Sequence, residues 1–222
     1  KMKKIITIIT IIIVVIIAFF IKTNYKKIKF GNNMSNKSAE EVEQYILGIS
    51  SYEVQETITV ESNKNTNNYI VKEKYSNDSN VYKREIVEPE NLSGMVFIYD
   101  GTNLKIENSK LNLSKIYENY PYVGENIITL KSFIDDYKES NETSLSEENE
   151  EIILEVKIKN GNKYVAYKKL YFNKSTGVPT RLEIKDVTQK TVIYILYNEI
   201  KINNLQKEDV LAFKLKENSN DI

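Results

Sequence analysis

A two-residue alternation of apolar and polar side chains recurs along most of this chain and constrains its fold more than any other feature. The first alternating segment places Tyr52, Val54, Ile58 and Val60 on one face. Similar segments follow at short intervals and are separated by turn-forming residues. Such alternation is typical of half-buried strands in an antiparallel sheet. The sequence therefore predicts a mainly β domain.

About ten strands are predicted in meander order. They cover residues 52–60, 69–75, 81–87, 95–99, 104–107, 152–156, 165–171, 181–186, 191–198 and 210–215. Hairpin turns are expected at Asp100-Gly101 and Asn160-Gly161, because these dipeptides readily adopt positive φ angles. A two-residue turn at Asn160-Gly161 would pair Val156 with Val165 and Leu154 with Tyr167, whereas a longer turn would reverse the register.

Two segments change to helical spacing. Ser38 followed by Glu41 predicts a capping box at the start of a helix over residues 39–49, and residues 127–137 carry a second apolar stripe. The Ser- and Glu-rich segment 139–151 is interpreted as an exposed loop. Residues 191–198 are apolar on both faces, so their strand is expected to be covered on both sides. The predicted fold is α+β: a curved antiparallel sheet, or open half-barrel, wrapped on one or two helices.

The N-terminal segment contains an uncharged run of seventeen residues from Ile5 to Ile21. As a helix the run would rise about 25 Å, close to the roughly 30 Å hydrocarbon core of a bilayer. No small-x-small cleavage pattern follows Ala18 and no Cys follows the run, which favours an uncleaved anchor over a signal peptide or lipid anchor. The predicted domains are a transmembrane signal anchor at 1–22, a tether at 23–37 and an extracytoplasmic domain at 38–222.

Charge and composition exclude several function classes. Seven of the 31 basic residues and none of the 31 acidic ones lie in residues 1–30, which leaves residues 31–222 with 24 basic and 31 acidic groups and a net charge of −7. An acidic domain is unsuited to nucleic acid, whose phosphates require clustered Lys and Arg. The sequence has no His and no Cys, so it offers neither the usual catalytic bases and thiols nor the usual zinc ligands. We expect no catalytic residues, metal or cofactor.

Several motifs resemble a known family. A capped helix precedes the long strand, a Tyr-x-Arg-Glu strand ends at a proline, residues 98–104 read Ile-Tyr-Asp-Gly-x-x-Leu and residues 130–134 read Leu-x-x-Phe-Ile. The residues of the Tyr-x-Arg-Glu strand are Tyr82, Arg84, Glu85 and Pro89. Over roughly residues 38–215 this order resembles the LolA-like lipoprotein-carrier fold, and within it the GerS-type germination proteins of spore-forming clostridia. Those proteins are lipoproteins, and the missing Cys favours a transmembrane-anchored relative.

The resemblance implies a non-enzymatic, membrane-anchored protein of the cell or spore envelope. It would support germination by binding and activating a cortex-modifying N-acetylmuramoyl-alanine amidase of the CwlD type. One alternative is a carrier of lipid or lipoprotein acyl chains, as in LolA, and another is an envelope sensor or structural protein. An enzyme is the least favoured interpretation. The possibility of a homodimer stays open.

Few residues stand out as candidates for partner binding. Arg84 and Arg181 are the only arginines, and each is a candidate for a partner contact or for a structural ion pair. Asp135 and Asp136 would diverge by about 100° on a helix, so they are expected to lie on a solvated face rather than to share a site. The many tyrosines are expected to pack the core and sheet faces rather than to line a ligand groove.

Overall fold

The computed structural model describes residue 34 and residues 36–62, 64–120 and 128–212, and these contain eleven strands, three α-helices and one short 3-10 helix at Asp78–Asn80. The strands are β1 (Ser51–Glu61), β2 (Thr66–Ser76), β3 (Val81–Glu88), β4 (Met95–Tyr99), β5 (Leu104–Asn108), β6 (Leu113–Tyr117), β7 (Thr143–Glu148), β8 (Glu151–Asn162), β9 (Val165–Asn173), β10 (Val178–Lys185) and β11 (Thr191–Ile202). The helices are α1 (Ala39–Leu47), α2 (Leu130–Glu139) and α3 (Lys207–Leu211).

The strands form one antiparallel sheet in the order β6-β5-β4-β3-β2-β1-β11-β10-β9-β8-β7. The chain runs outward from β1 to the edge strand β6 and enters α2. It then returns from the opposite edge, β7, to β11. The pairing of β1 with β11 joins the two halves of the sheet. The predicted antiparallel sheet is confirmed, and strands pair in chain order within each half, but the meander prediction did not include the pairing of β1 with β11 or the places of β6 and β7 at opposite edges.

Helices α1 and α2 cover one face of the sheet. Ser38 and Glu41 form the predicted capping box, in which each side chain accepts a hydrogen bond from the other residue's backbone N–H. Thr129 caps α2, which begins three residues later than the start predicted at residue 127, a position outside the described residues. Both helices lie against β8, and α1 also lies against β7.

A single apolar core fills the space between these helices and the sheet. Each fully buried aliphatic or aromatic side chain contributes about 1.5–3 kcal/mol. The largest members of the core are Tyr52, Tyr75, Phe133, Phe172, Ile46, Leu130, Ile152, Leu154, Leu170 and Leu182.

The hairpin between β8 and β9 turns at Lys163-Tyr164, so the turn predicted at Asn160-Gly161 is wrong. A register shift lies between Lys157 and Asn162. Within it, a Cβ added to Gly161 would come 2.6 Å from the backbone oxygen of Val165. Glycine is therefore used for a close approach of two backbones in a bulge rather than for the turn itself.

The displaced turn reverses the predicted face of β9. Leu154 pairs with Leu170 instead of Tyr167. The core face of β9 consists of Lys168, Leu170 and Phe172, where Val165, Tyr167 and Tyr171 were predicted. Because side chains alternate along a strand, a small change in turn position exchanges the two faces completely.

Three further predictions were wrong. The segment 139–151 is exposed but is not only a loop, because it contains β7, which pairs with β8 along its whole length. Val210 lies in the short helix α3 and not in a strand, and the rest of that predicted strand after residue 212 lies outside the described residues. The strand β6 was not predicted at all.

The predicted cover on both faces of β11 is also absent from the described part of the chain. Ile195 and Tyr197 point into the core. On the opposite face Tyr194 and Leu196 keep more than a third of their surface exposed to solvent. One side of this strand is therefore packed and the other is open.

The predicted anchor at 1–22 and most of the predicted tether at 23–37 lie outside the described residues. In the ranges that are described, none of the helices has the length and apolar character needed to cross a bilayer.

Candidate functional site

Tyrosines form a row across the core face of the sheet. Tyr52, Tyr75, Tyr82 and Tyr99 pair directly with one another on strands β1 to β4. The ring centroids are 5.4 Å apart for the first two and 5.6 Å apart for the last two. Because Tyr52 and Tyr75 are almost completely buried, this part of the row is core packing, as predicted, and not the lining of an open groove.

Three charged side chains lie next to this row in the interior. Glu73 and Arg84 face each other across β2 and β3, and the guanidinium binds Oε2 of Glu73 through Nε at 2.7 Å and also through Nη2. Oε1 of Glu56 is 3.6 Å from Nη2 of Arg84. The Tyr52 hydroxyl donates to Oε1 of Glu73 at 2.5 Å. We call Glu56, Glu73 and Arg84 the interior ion cluster.

The charges of the interior ion cluster do not balance if both carboxyl groups are ionised. Burial, followed by the negative charge of Glu73, raises the pKa of Glu56 to about 8, against the opposing effect of Arg84. The pKa of Arg84 is raised because the nearby carboxylates outweigh the effect of burial. Glu56 therefore carries a proton at neutral pH, and the cluster is neutral overall.

Two polar atoms at the cluster have no hydrogen-bond partner within the described chain. They are Oε1 of Glu56 and the hydroxyl of Tyr197, whose residues pair across β1 and β11. Burial raises the pKa of Tyr197 well above its ordinary value, so the phenol stays protonated. Among the described residues there is no group of three or more acidic side chains suited to a metal ion.

The sequence contains a pattern that indicates this cluster, although the alternation of apolar residues did not predict it. Glu56 follows Tyr52 and Val54 at the next inward position of β1, and Glu73 and Arg84 occupy inward positions of β2 and β3. A charged residue at a core position on each of three consecutive strands indicates a buried ion pair, because an isolated charge there would be very costly.

A second buried charge ties α2 to the sheet. Lys168 on β9 has no exposed surface, and its Nζ is 2.6 Å from Oδ2 of Asp136 and 2.9 Å from Oγ of Ser132. Burial lowers the pKa of Lys168 despite the carboxylate. Asp135 instead pairs with Lys131. The two aspartates do point apart, as predicted, but both form ion pairs and neither is simply solvated.

The two candidate arginines occupy different surroundings. Arg84 belongs to the interior ion cluster and is only 8% exposed. Arg181 lies on the opposite face, where its guanidinium carbon is 3.5 Å from the ring centroid of Tyr171 and its Nη1 is 2.7 Å from Glu151. Both arginines form structural ion pairs, and a contact between Arg181 and a partner stays a prediction.

Within the described residues, the group with the most exposed large apolar side chains lies at the β6 end of the sheet, and Tyr164 and Val187 are exposed in other turns. Leu113, Ile116 and Tyr117 of β6 are 42%, 57% and 36% exposed, and Leu111 in the preceding turn is 67% exposed. On the core face of the adjoining strands, Phe97 and Ile106 are half-buried. Apolar surface of this kind is typical of a binding region rather than of a free surface.

Comparisons with known proteins agree with this fold. A model of the family described as YdcC-like sporulation protein matches residues 2–211. No curated protein matches the chain in sequence. An uncharacterized conserved protein from Thermus thermophilus is similar in structure, with 13% identity, a TM-score of 0.50, and coverage of 81% of this chain and 96% of that chain. At such low identity the likeness shows the fold alone.

Two further solved structures are similar at lower TM-scores. One is a chain from the structure of the CwlD amidase from Clostridioides difficile in complex with the GerS lipoprotein, at 24% identity, with coverage of 72% of this chain and 91% of that chain and a TM-score of 0.47. The other is the LolA superfamily protein NE2245 from Nitrosomonas europaea, at 14% identity, with coverage of 79% and 98% and a TM-score of 0.41.

Proposed function

Because this chain belongs to the family of YdcC-like sporulation proteins, we propose that it is a non-enzymatic binding protein of the cell or spore envelope. Its domain lies outside the cytoplasm, held to the membrane by the apolar run Ile5–Ile21. The domain contacts a cell-wall amidase of the CwlD type and supports its activity during spore formation or germination. The amidase comes from the resemblance to GerS-type proteins.

The observation that carries the binding role is the exposed apolar surface at the β6 end of the sheet. Four large apolar side chains, Leu111, Leu113, Ile116 and Tyr117, are more than a third exposed within seven residues. Each costs free energy in water, roughly in proportion to the apolar area left exposed. A protein partner that covers them would recover that free energy.

The residue content of the chain suits a partner that supplies the chemistry. The sequence has no His and no Cys, and hydrolysis of cell-wall amides by zinc requires ligands of this kind. The charged groups in the interior, Glu73, Arg84 and Lys168, are held in ion pairs with one another or with Asp136, and Glu56 lies beside Arg84 in its protonated form. They are therefore assigned to the stability of the fold and not to catalysis.

Two general properties support a stationary scaffold. A fixed anchor suits a protein that holds a partner at one membrane better than one that must diffuse between membranes. The net charge of −7 over residues 31–222 favours encounter with a basic partner, mainly through the rate of association.

The test uses the full-length chain in mild detergent micelles and the CwlD-type amidase of the same organism. We expect a saturable complex, measured by isothermal titration calorimetry, and a higher amidase activity on cortex muropeptides when the complex forms. Empty micelles with amidase are the control. Absence of a complex at concentrations on the order of ten micromolar would rule out the amidase as partner.

The carrier function is the second candidate, and one observation favours it. Ile86, Phe97 and Ile106 lie on the core face of β3 to β5 and are only half-buried, so an acyl chain would find apolar contacts there. A carrier needs an apolar pocket of several hundred Å³. Saturable binding of a fluorescent fatty acid, combined with no complex with the amidase, would favour the carrier over the scaffold.

A further inference from the structure

The two edges of the sheet differ sharply in chemistry. The edge strand β7 consists of Ser, Thr and Glu apart from Leu145, and its neighbourhood contains ion pairs between Glu142 and Lys157 and between Glu147 and Lys174. Charged and polar side chains of this type protect an edge against pairing with another chain. Helix α1 also lies against β7.

The other edge strand, β6, is less protected within the described residues, because Lys115 is its only charged residue and it takes part in none of the ion pairs seen at β7. It carries apolar side chains on both of its faces and a single charge, Lys115. Its outer backbone N–H and C=O groups face no further strand in the described part of the chain. An exposed apolar edge is a template for an added strand.

The register of β6 against β5 defines which side chains share a face. Tyr117 pairs with Leu104, and Lys115 pairs with Ile106, so Leu113, Lys115 and Tyr117 lie on the core face. Ile116 lies on the opposite face. Nζ of Lys115 is 4.6 Å from the ring centroid of Tyr117, and no ion pair with an acidic group is formed by Lys115 among the described residues.

We propose that the free edge of β6 binds an extended segment of the partner protein as a twelfth strand. The segment has an acidic residue opposite Lys115, apolar residues opposite Leu113 and Tyr117 on the core face, and an apolar residue opposite Ile116 on the other face. Backbone hydrogen bonds supply the affinity, and the alternate side chains supply the specificity. This inference rests on the proposed function only in that the partner is a protein.

Charge complementarity selects an acidic segment at this edge. Lys110 in the turn before β6 is exposed, and its Nζ donates a hydrogen bond to Oγ of Ser93 at 3.2 Å. Neither Lys110 nor Lys115 forms an ion pair with a carboxylate among the described residues. On the neighbouring strand, Lys105 and Glu107 pair with each other and leave no net charge there. The core face of this edge therefore presents the positive charge of Lys115, although Glu118 follows β6 and residues 31–222 as a whole are acidic.

Hydrogen–deuterium exchange on the full-length chain in mild detergent tests the edge directly. Two ligands are used: the same organism's CwlD-type amidase, and a nine-residue peptide whose central sequence is VVETV. Strand addition protects the backbone amides of β6, and we expect their exchange to slow by about tenfold or more on binding. The amides of β7 serve as the internal control and stay unchanged.

Matched variants separate the edge from the rest of the sheet. Ile116→Glu weakens both ligands by about tenfold or more, whereas Ser146→Glu on the opposite edge changes affinity less than about twofold. Both positions are exposed, so neither substitution disturbs the core. Lys115→Glu should reverse the preference of this edge for an acidic peptide, so that a peptide with the central sequence VVKTV binds more tightly than one with VVETV.

The outcomes distinguish this inference from the proposed function. A complex with the amidase that leaves the β6 amides unprotected overturns the edge inference and keeps the scaffold. Protection of β6 by the VVETV peptide without any amidase complex overturns the amidase and keeps the edge. Protection that depends only on the concentration of the chain itself, or on the micelle alone, assigns the edge to a second copy or to the bilayer and overturns the inference.

Discussion

Glu73 and Arg84 lie directly opposite each other on β2 and β3, inside the sheet, and are joined by two hydrogen bonds from one guanidinium. The same guanidinium is 3.6 Å from Glu56. One buried cation thus lies beside two buried carboxyl groups, of which Glu56 is protonated at neutral pH, and these side chains link β1, β2 and β3 in addition to the backbone hydrogen bonds.

Removing the cation should be strongly destabilising. Arg84→Met leaves Glu73 without its ion-pair partner, and loss of one partner from a buried pair typically costs about 3–5 kcal/mol. Arg181→Met is the matched control, because the side chain of Arg181 is 25% exposed and its loss, including the contact with Tyr171, should cost less, on the order of 1–2 kcal/mol. The free energy of unfolding of both variants is measured by urea denaturation, monitored by circular dichroism at pH 7. Equal losses for the two variants would show that the buried cation stabilises the fold no more than the partly exposed one does.

The stability of the fold should fall as the pH rises toward 8. The folded pKa of Glu56 is about 8, above its ordinary value of 4.5, so the folded state holds a proton that the unfolded state has lost. The contribution of this protonation to the free energy of unfolding is complete below about pH 4.5 and is lost as the pH rises through about 8. Between these values the free energy of unfolding falls by at most about 1.4 kcal/mol per pH unit.

Glu56→Gln tests this origin of the pH dependence. The amide keeps the shape of the protonated acid, so the decline in the free energy of unfolding between pH 5 and pH 8 should become much shallower. Asp100 and Asp186, whose pKa values are lowered by hydrogen bonds, act below this range and leave it unaffected. An unchanged slope in the variant would assign the pH dependence to other groups.

The pair of Lys168 and Asp136 should respond unequally to removal of its two members. Asp136→Asn leaves a fully buried ammonium group without its ion-pair partner and with only the weaker attraction of Asp135, whereas Lys168→Met leaves a carboxylate whose side chain is 29% exposed and can be hydrated. We expect Asp136→Asn to cost at least about 1 kcal/mol more than Lys168→Met in thermal or urea unfolding. The reverse order would mean that the apolar stem of Lys168 matters more than its charge.

Local patterns predicted the parts of the fold that depend on neighbouring residues. The capping box at Ser38 and Glu41 and the inward face of β1 were correct because both are encoded within a few residues. Glu56 was not predicted as a core residue because alternation is recognised from apolar residues, and a charged residue at an inward position does not fit that pattern. Its role depends on Glu73 and Arg84, which lie on other strands.

Features that depend on distant pairing were not predicted. The segment that forms β7 is rich in Ser and Glu, which are poor strand formers, and it becomes a strand because it pairs with β8. The register of β9 follows from a bulge at Gly161 that no local rule identifies. The edge position of β6 depends on the order of all eleven strands, so its exposed apolar residues carried no signal in the sequence.

The apolar run Ile5–Ile21 should keep the whole protein at the membrane. The run is uncharged and, as a helix, would be just short of the roughly 30 Å hydrocarbon core, and we expect Lys4 and Lys22 to extend its reach toward the headgroups. Fractionation of sporulating cells should therefore place full-length protein in the membrane pellet, and alkaline carbonate should fail to extract it.

Ile13→Arg puts a charge at the centre of the run, at a cost of about 2.5–3.5 kcal/mol, and should shift protein into the soluble fraction. Ile116→Glu, which leaves the run untouched, is the control and should remain in the pellet. A soluble wild-type form that begins near residue 22 would show that the segment is a cleaved signal and not an anchor.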